Sequence, residues 1–281
     1  MLDPAACVKS VRVARKGGSE ETVRAVPVEV PIALTHDGSS YAVMLGSPID
    51  LDDFGVGFSF TENVISSAAE IRDLEVVEHH DGIEVRMWLD PDRSKQLVAR
   101  RRHITGPTGC GLCGVESLEE ASPELPKVGK GIAVTVDEIY AALDDLMLAQ
   151  VVGRETRAVH ASAFWRRGEG LVVVREDVGR HNALDKVIGH VLRTGGEGAD
   201  GMVIMTSRVS VELIQKTAKL GASILVAVSA PTSFALKLAE EAGITLVAVA
   251  RGDSFEVFTH PHRILLDGAG KKNTETLGHV A

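Results

Sequence analysis

The chain has 281 residues, three cysteines and a net charge of −9, from 30 basic and 39 acidic residues. Apolar residues at 44% and charged residues at 25% are globular values, so a disordered or fibrous chain is excluded. Three cysteines are too few for a disulfide framework and point to a reducing compartment; the acidic balance excludes a general nucleic-acid binder but leaves room for a local basic pocket.

The start, Met1-Leu2-Asp3-Pro4, lacks the apolar stretch of a signal peptide. No apolar run approaches the ~18–20 residues of a membrane span. These features predict a soluble cytoplasmic protein with no membrane contact. Val26, Val28 and Val30 alternate with polar or proline residues and predict a half-buried edge strand. Residues 41–45 predict a second. Leu51, Phe54, Phe58 and Ile65 recur at helical spacing after Asp50, a candidate N-cap. Residues 75–79 and the alternating Ile83, Val85, Met87 and Leu89 flank Asp81-Gly82, which predicts a tight hairpin. The glycine-rich stretch 106–114 predicts a loop, and the proline- and glycine-containing stretch 123–131 a linker.

Beyond it the rhythm changes. Thr135-x-x-Glu138 is a capping box, and Val136, Ile139, Tyr140, Leu143, Leu146 and Met147 form the apolar face of the helix it opens. Strands are predicted at 159–165, 171–174, 202–205, 224–228 and 244–250, and helices at 211–220 and 234–242. Near-continuous apolar strands separated by amphipathic helices indicate an α/β sheet covered on both faces. The division is a smaller β-rich α+β unit over 1–130 and an α/β unit over 131–281.

In open α/β sheets ligands bind beyond the carboxyl ends of the strands. Four strands here end in Arg175-Glu176-Asp177, Thr206-Ser207-Arg208, Ser229-Ala230-Pro231 and Ala250-Arg251-Gly252. Ser210 and Thr232 are candidate caps of the following helices, whose free N–H groups favour anions, and arginine adds bidentate phosphate recognition. The edge predicts an anionic, nucleotide-like ligand. Gly179-Arg180-His181-Asn182 opens another helix, with Asn182 or Asp177 as its cap and His181 as a base, a ligand contact or a turn residue.

Cys110-Gly111-Leu112-Cys113 leaves three chemistries open. Structural zinc needs four ligands, and neither Cys7 nor His103 completes a set. A thioredoxin-type disulfide needs the pair at a helix start after a strand. A nucleophile on a glycine-rich loop needs positive charge to raise its thiolate fraction, and Arg100, Arg101, Arg102 and His103 lie just upstream. The His-x-Glu and Pro-Cys-x-x-Cys signature of zinc deaminases is absent, since Gly109 precedes Cys110.

The motifs resemble the FdhD family of formate dehydrogenase accessory sulfurtransferases. They are Phe60-Thr61-Glu62, Cys110-Gly111-Leu112-Cys113-Gly114, the run from Arg175 to Lys186, Arg208-Val209-Ser210, Ser229-Ala230-Pro231-Thr232-Ser233, Ala250-Arg251-Gly252 and Thr259-His260-Pro261. Asn63 stands where the family often has glycine, the next best residue at positive φ.

The resemblance implies a cytidine-deaminase-like α/β domain without zinc catalysis or a structural metal. It implies persulfide sulfur taken from a cysteine desulfurase on Cys110, with Cys113 assisting. The sulfur would pass to the molybdenum cofactor, in its bis-molybdopterin guanine dinucleotide (bis-MGD) form, destined for formate dehydrogenase. Val249, Ala250, Arg251, Gly252, Asp253 and Ser254 match the family's cofactor-binding stretch. Arg208 and Arg251 are expected to hold phosphates, and Ser229, Asp177 and His181 to position the ligand. A homodimer is the expectation for a soluble chain of this kind.

Overall fold

The computed structural model describes residues 2–101 and 125–266. Cys110, Cys113 and the stretch 106–114 lie outside them. Strands β1 (Ala5–Val13) and β2 (Ser19–Pro27) pair as an antiparallel ribbon. β1 was not legible and β2 only at its end, because valines alternate with charges and most side chains are exposed. The strand expected through Val26, Val28 and Val30 is two strands. β2 stops at Pro27, which has no N–H to donate, and β3 (Val30–His36) starts after Val28 bonds Pro4 O at 2.8 Å.

β3 and β4 (Ser39–Gly46) precede helix α1 (Leu51–Thr61); β5 (Ile71–His79), β6 (Gly82–Leu89) and helix α2 (Pro91–Arg101) follow it. The four strands form one sheet in the order β4-β3-β6-β5. The β5–β6 hairpin forms as expected, but its turn residues are His80 and Asp81 rather than Asp81 and Gly82, because Gly82 pairs with His79 and opens β6 at φ 156°. Ile32, Leu34, Val85 and Met87 pack on Phe54 and Phe58 of α1. Asp50 takes the N-cap position, but it sits at φ 54° and makes no capping bond; its carboxylate lies 3.4 Å from Arg175 instead. Ile65 falls beyond the helix and packs as core; Asn63 has the expected positive φ, 58°.

The second sheet begins after a short strand, β7 (Val134–Thr135), and helices α3 (Val136–Ala149) and α4 (Val151–Thr156). Then come β8 (His160–Arg166), β9 (Gly170–Asp177), helix α5 (Arg180–Arg193), β10 (Gly201–Met205), helix α6 (Val211–Leu220), β11 (Ile224–Ala227), helix α7 (Ser233–Ala242), β12 (Thr245–Arg251) and β13 (Ser254–Val257). Strand β14 (Ile264–Leu265) pairs with β7. The sheet runs β13-β12-β11-β10-β8-β9. Within this sheet only β10, β11 and β12 pair in parallel; β8, β9 and β13 run antiparallel to the strands they pair with.

Alternation along the buried strands feeds two cores. Val203, Met205, Leu225 and Leu246 face α5, α6 and α7, while Met202, Ile204, Val226 and Val247 face α3. The capping box of α3 is present, with Thr135 Oγ1 accepting from Glu138 N at 3.1 Å and Glu138 accepting from Thr135 N at 2.8 Å. Met147, expected on the apolar face of α3, is instead 56% exposed.

Two features set how the halves meet. α1 packs on α5 backbone to backbone: a Cβ on Gly57 would stand 1.8 Å from Asp185 O, and one on Gly189 1.8 Å from Asp53 O. Val56, Phe60, Val64 and Ile65 accordingly join the core that contains Leu184, Val187 and Ile188. The stretch expected as a linker is held down. Val128 N–H bonds Ala242 O at 2.9 Å, and the buried Arg263 guanidinium donates to Gly129 O and Lys130 O.

Candidate functional site

Because β8 runs against β10 and β9 runs against β8, the start of β8 and the end of β9 lie at the carboxyl edge of the parallel strands, with His160 opposite Asp177. That edge therefore gathers His160, the opening of α5 (Gly179, Arg180, His181), Thr206–Arg208, Ser229 and Arg251. The loops are stitched together. Thr206 N–H donates to Ala161 O at 3.0 Å, Val209 N–H to Ala230 O at 3.3 Å, Thr232 N–H to Val209 O at 3.0 Å and Val249 N–H to Ser229 O at 3.2 Å. Thr232 caps α7 as expected, accepting from Ala235 N at 3.3 Å; Ser210 occupies the N-cap of α6 but makes no capping bond.

The stretch from Val249 to Ser254 forms the outer lip. β12 is bulged between Ala248 and Arg251, and Val249 sits at φ 54°. A β-branched residue there costs about 1–2 kcal/mol, and such bulges re-aim side chains near functional sites. The bulge places Arg251 so that its Nε donates to Val228 O at 3.1 Å. Ala250 is buried, while Arg251, Gly252, Asp253 and Ser254 are exposed around a turn with Gly252 at φ 62°. Arg208 is exposed, and its guanidinium has no hydrogen-bond or ion-pair partner among the described residues.

The histidines are held neutral. Burial, then the Arg180 and Arg208 charges, lower the His160 pKa against the opposing pull of Asp177. Burial, then Arg180 and Lys216, push His181 down to about 4, although Glu212 Oε2 stands 3.7 Å away. A histidine lowered in the fold refuses a proton that the unfolded chain takes up. Its stabilising contribution is present above the usual 6.5 and is lost as pH falls toward 4. Urea titrations should therefore show the native protein losing about 1–2 kcal/mol more than a His181→Gln variant between pH 7.5 and pH 5. Equal losses would refute the assignment.

Asp177 was expected to touch the ligand; it does not face the edge. It is fully buried, and both oxygens are engaged. Oδ2 accepts from Lys186 Nζ at 2.7 Å and Ser47 N at 3.0 Å, and Oδ1 from Gly179 N at 2.7 Å and Asn182 Nδ2 at 3.0 Å. Asn182 also donates to Leu45 O, and Lys186 to Ser47 O. This junction ties the β4–α1 turn to the start of α5, beside the site. Other acids of the region are used the same way. Glu176 accepts the N–H groups of Val151, Val152 and Gly153; Asp185 binds Lys216 and Thr61; Asp53 binds Arg175 and Arg193.

Arg180, Glu212 and Lys216 belong to the site's surroundings and carried no role in the sequence. Arg180 lay within a quoted motif, but its surroundings come from β8 and α6, remote in the chain. Among the described residues no helix is long and apolar enough to cross a membrane.

The fold and edge define a mixed α/β protein with an electropositive strand-end site. A model of the FdhD/NarQ family matches residues 27–265, so the chain belongs to that family. It is 51% identical over 253 residues to the sulfur carrier protein FdhD of Agrobacterium fabrum, covering 90% of this chain and 93% of that one. It is 46% identical over 252 residues to the sulfur carrier protein FdhD of Brucella abortus, covering 89% and 94%. A crystal structure from Desulfotalea psychrophila, of a protein named as a formate dehydrogenase accessory protein, superposes with a TM-score of 0.73 at 28% identity, covering 94% of this chain and all of that one.

Proposed function

We propose that this protein is a cytoplasmic sulfurtransferase serving formate dehydrogenase. The Cys110 thiolate attacks the terminal sulfur of a cysteine desulfurase persulfide. The donor S–S bond breaks, the donor cysteine leaves as thiolate, and Cys110 carries the persulfide. Attack of Cys113 on Cys110 Sγ then releases the sulfur as sulfide for the bis-MGD substrate. The resulting Cys110–Cys113 disulfide is returned to two thiols by a thiol reductant. The protein works as a homodimer.

The observation that carries the cofactor half is the unneutralised charge at the edge. In a chain of net charge −9, Arg208 and Arg251 come from two strand ends and neither has a carboxylate partner among the described residues. Two histidines beside them are held neutral, first by burial and then by neighbouring cations, Arg180 and Arg208 at His160 and Arg180 and Lys216 at His181. An anionic, nucleotide-bearing molecule supplies the missing charge, and guanidinium forks match phosphate oxygens.

Calorimetric titration of the purified protein with GDP should show binding. Arg208→Ala and Arg251→Ala should each weaken it about tenfold, the value of one charge-assisted hydrogen bond. No binding of GDP, or unchanged affinity in both variants, would refute the reading.

A further inference from the structure

We propose that the half-buried Arg180, the first residue of α5, is the anion anchor of this edge, receiving a phosphate of the nucleotide-bearing ligand. The inference rests on the cofactor reading above and goes beyond it by naming the group that neutralises the interior of the site.

The geometry that points to Arg180 is a contrast with its neighbours. Four cations surround the same helix, and each is matched by a buried carboxylate. Lys186 Nζ lies 2.7 Å from Asp177, Lys216 Nζ 2.8 Å from Asp185, Arg175 2.7 Å from Asp53 and Arg193 2.7 Å from Asp53. Arg180 is the exception. Its Nε is buried with no acceptor, and its side chain makes no hydrogen bond or ion pair among the described residues.

A buried donor nitrogen without a partner is costly, and Arg180 Nε is such a donor on a half-buried side chain. A fold that neutralises four cations and leaves the fifth bare keeps it for something other than stability.

The groups facing Arg180 sharpen the point. His160 comes from β8, His181 from α5, Arg208 from the loop after β10 and Glu212 from α6; Asp177 is already spent on Lys186, Gly179 and Asn182. Glu212 is nearest to His181, at 3.7 Å. Arg180 and Arg208 are thus the positive charges of this inner corner, and Glu212 is its one carboxylate not already spent in the Asp177 junction. Glu212 offsets one of the two charges, and a singly charged phosphate group of a diphosphate balances the other. Arginine suits that role better than lysine, because its planar fork offers paired donors to two phosphate oxygens.

The test uses the full chain with GDP and guanosine as probes, on the native protein and on Arg180→Met and Arg180→Lys variants. Methionine retains the buried stem and removes the bare charge. The apo melting temperature of Arg180→Met should therefore rise by ~2–4 °C. Its GDP affinity should fall ~10–100-fold, while guanosine, which has no phosphate, binds it as it binds the native protein. Arg180→Lys should fall between. GDP affinity unchanged in Arg180→Met would overturn the proposal. So would a lower melting temperature with equal loss of GDP and guanosine, which marks a structural role. If the native protein binds neither probe, the cofactor reading itself fails, and the proposal with it.

Discussion

Replacing Lys186 by methionine is expected to lower unfolding stability by about 3–5 kcal/mol, the cost of leaving one partner of a buried ion pair behind. Lys186 and Asp177 are both 0% exposed and 2.7 Å apart. Methionine fills much of the lysine volume, so the loss comes from charge and hydrogen bonding rather than from a cavity. Asp177 retains Ser47 N, Gly179 N and Asn182 Nδ2 as donors but loses the counter-charge that Lys186 supplied. Lys186 also donates to Ser47 O and Glu176 O, which lose that partner. Adding Asp177→Asn should recover half or more of the loss, because the orphaned charge goes with it. Urea titrations of the single and double variants measure both quantities. A single-variant loss below about 1 kcal/mol would mean that the pair is solvated and contributes as surface pairs do.

The same junction explains what the sequence did not reveal. The parallel strands and the helices between them were legible to within about a residue or two. Met202–Met205, Ile224–Ala227 and Leu246–Ala248 are buried on both faces and so read as unbroken apolar runs. Strand direction then fixed where Arg208, Ser229 and Arg251 fall, because parallel strands share one carboxyl edge. The β1–β2 ribbon left no such trace: with both faces largely exposed, nothing forces apolar residues into register.

The run from Arg175 to Lys186 was legible as important but not in kind. Asp177 could equally have faced a ligand or the interior, and Ser47, which decides the matter, is 130 positions away. Arg180 was invisible for the opposite reason. What distinguishes it is a buried Nε without an acceptor, and only the assembled fold shows that Arg175, Lys186, Arg193 and Lys216 around the same helix each have a carboxylate.

Cys110→Ala is expected to abolish sulfur acceptance while leaving GDP affinity within about twofold. The substitution removes one nucleophilic atom, and the strand-end site is built from residues 160–254, remote from it in the chain. A free thiol near pKa 8.5 is a few per cent thiolate at neutral pH, so acceptance by the native protein should also rise with pH until the thiol is ionised. Mass spectrometry after incubation with a cysteine desulfurase and cysteine should show one added sulfur atom on the native protein and none on Cys110→Ala. Cys113→Ala should gain the sulfur and retain it, because it lacks the second thiolate that attacks Cys110 Sγ. The two variants thus separate acceptance from release. A Cys110→Ala protein that still acquires the sulfur would move the carrier role to Cys113. A native protein that never acquires it, yet binds GDP, would be a cofactor-binding protein without sulfur chemistry.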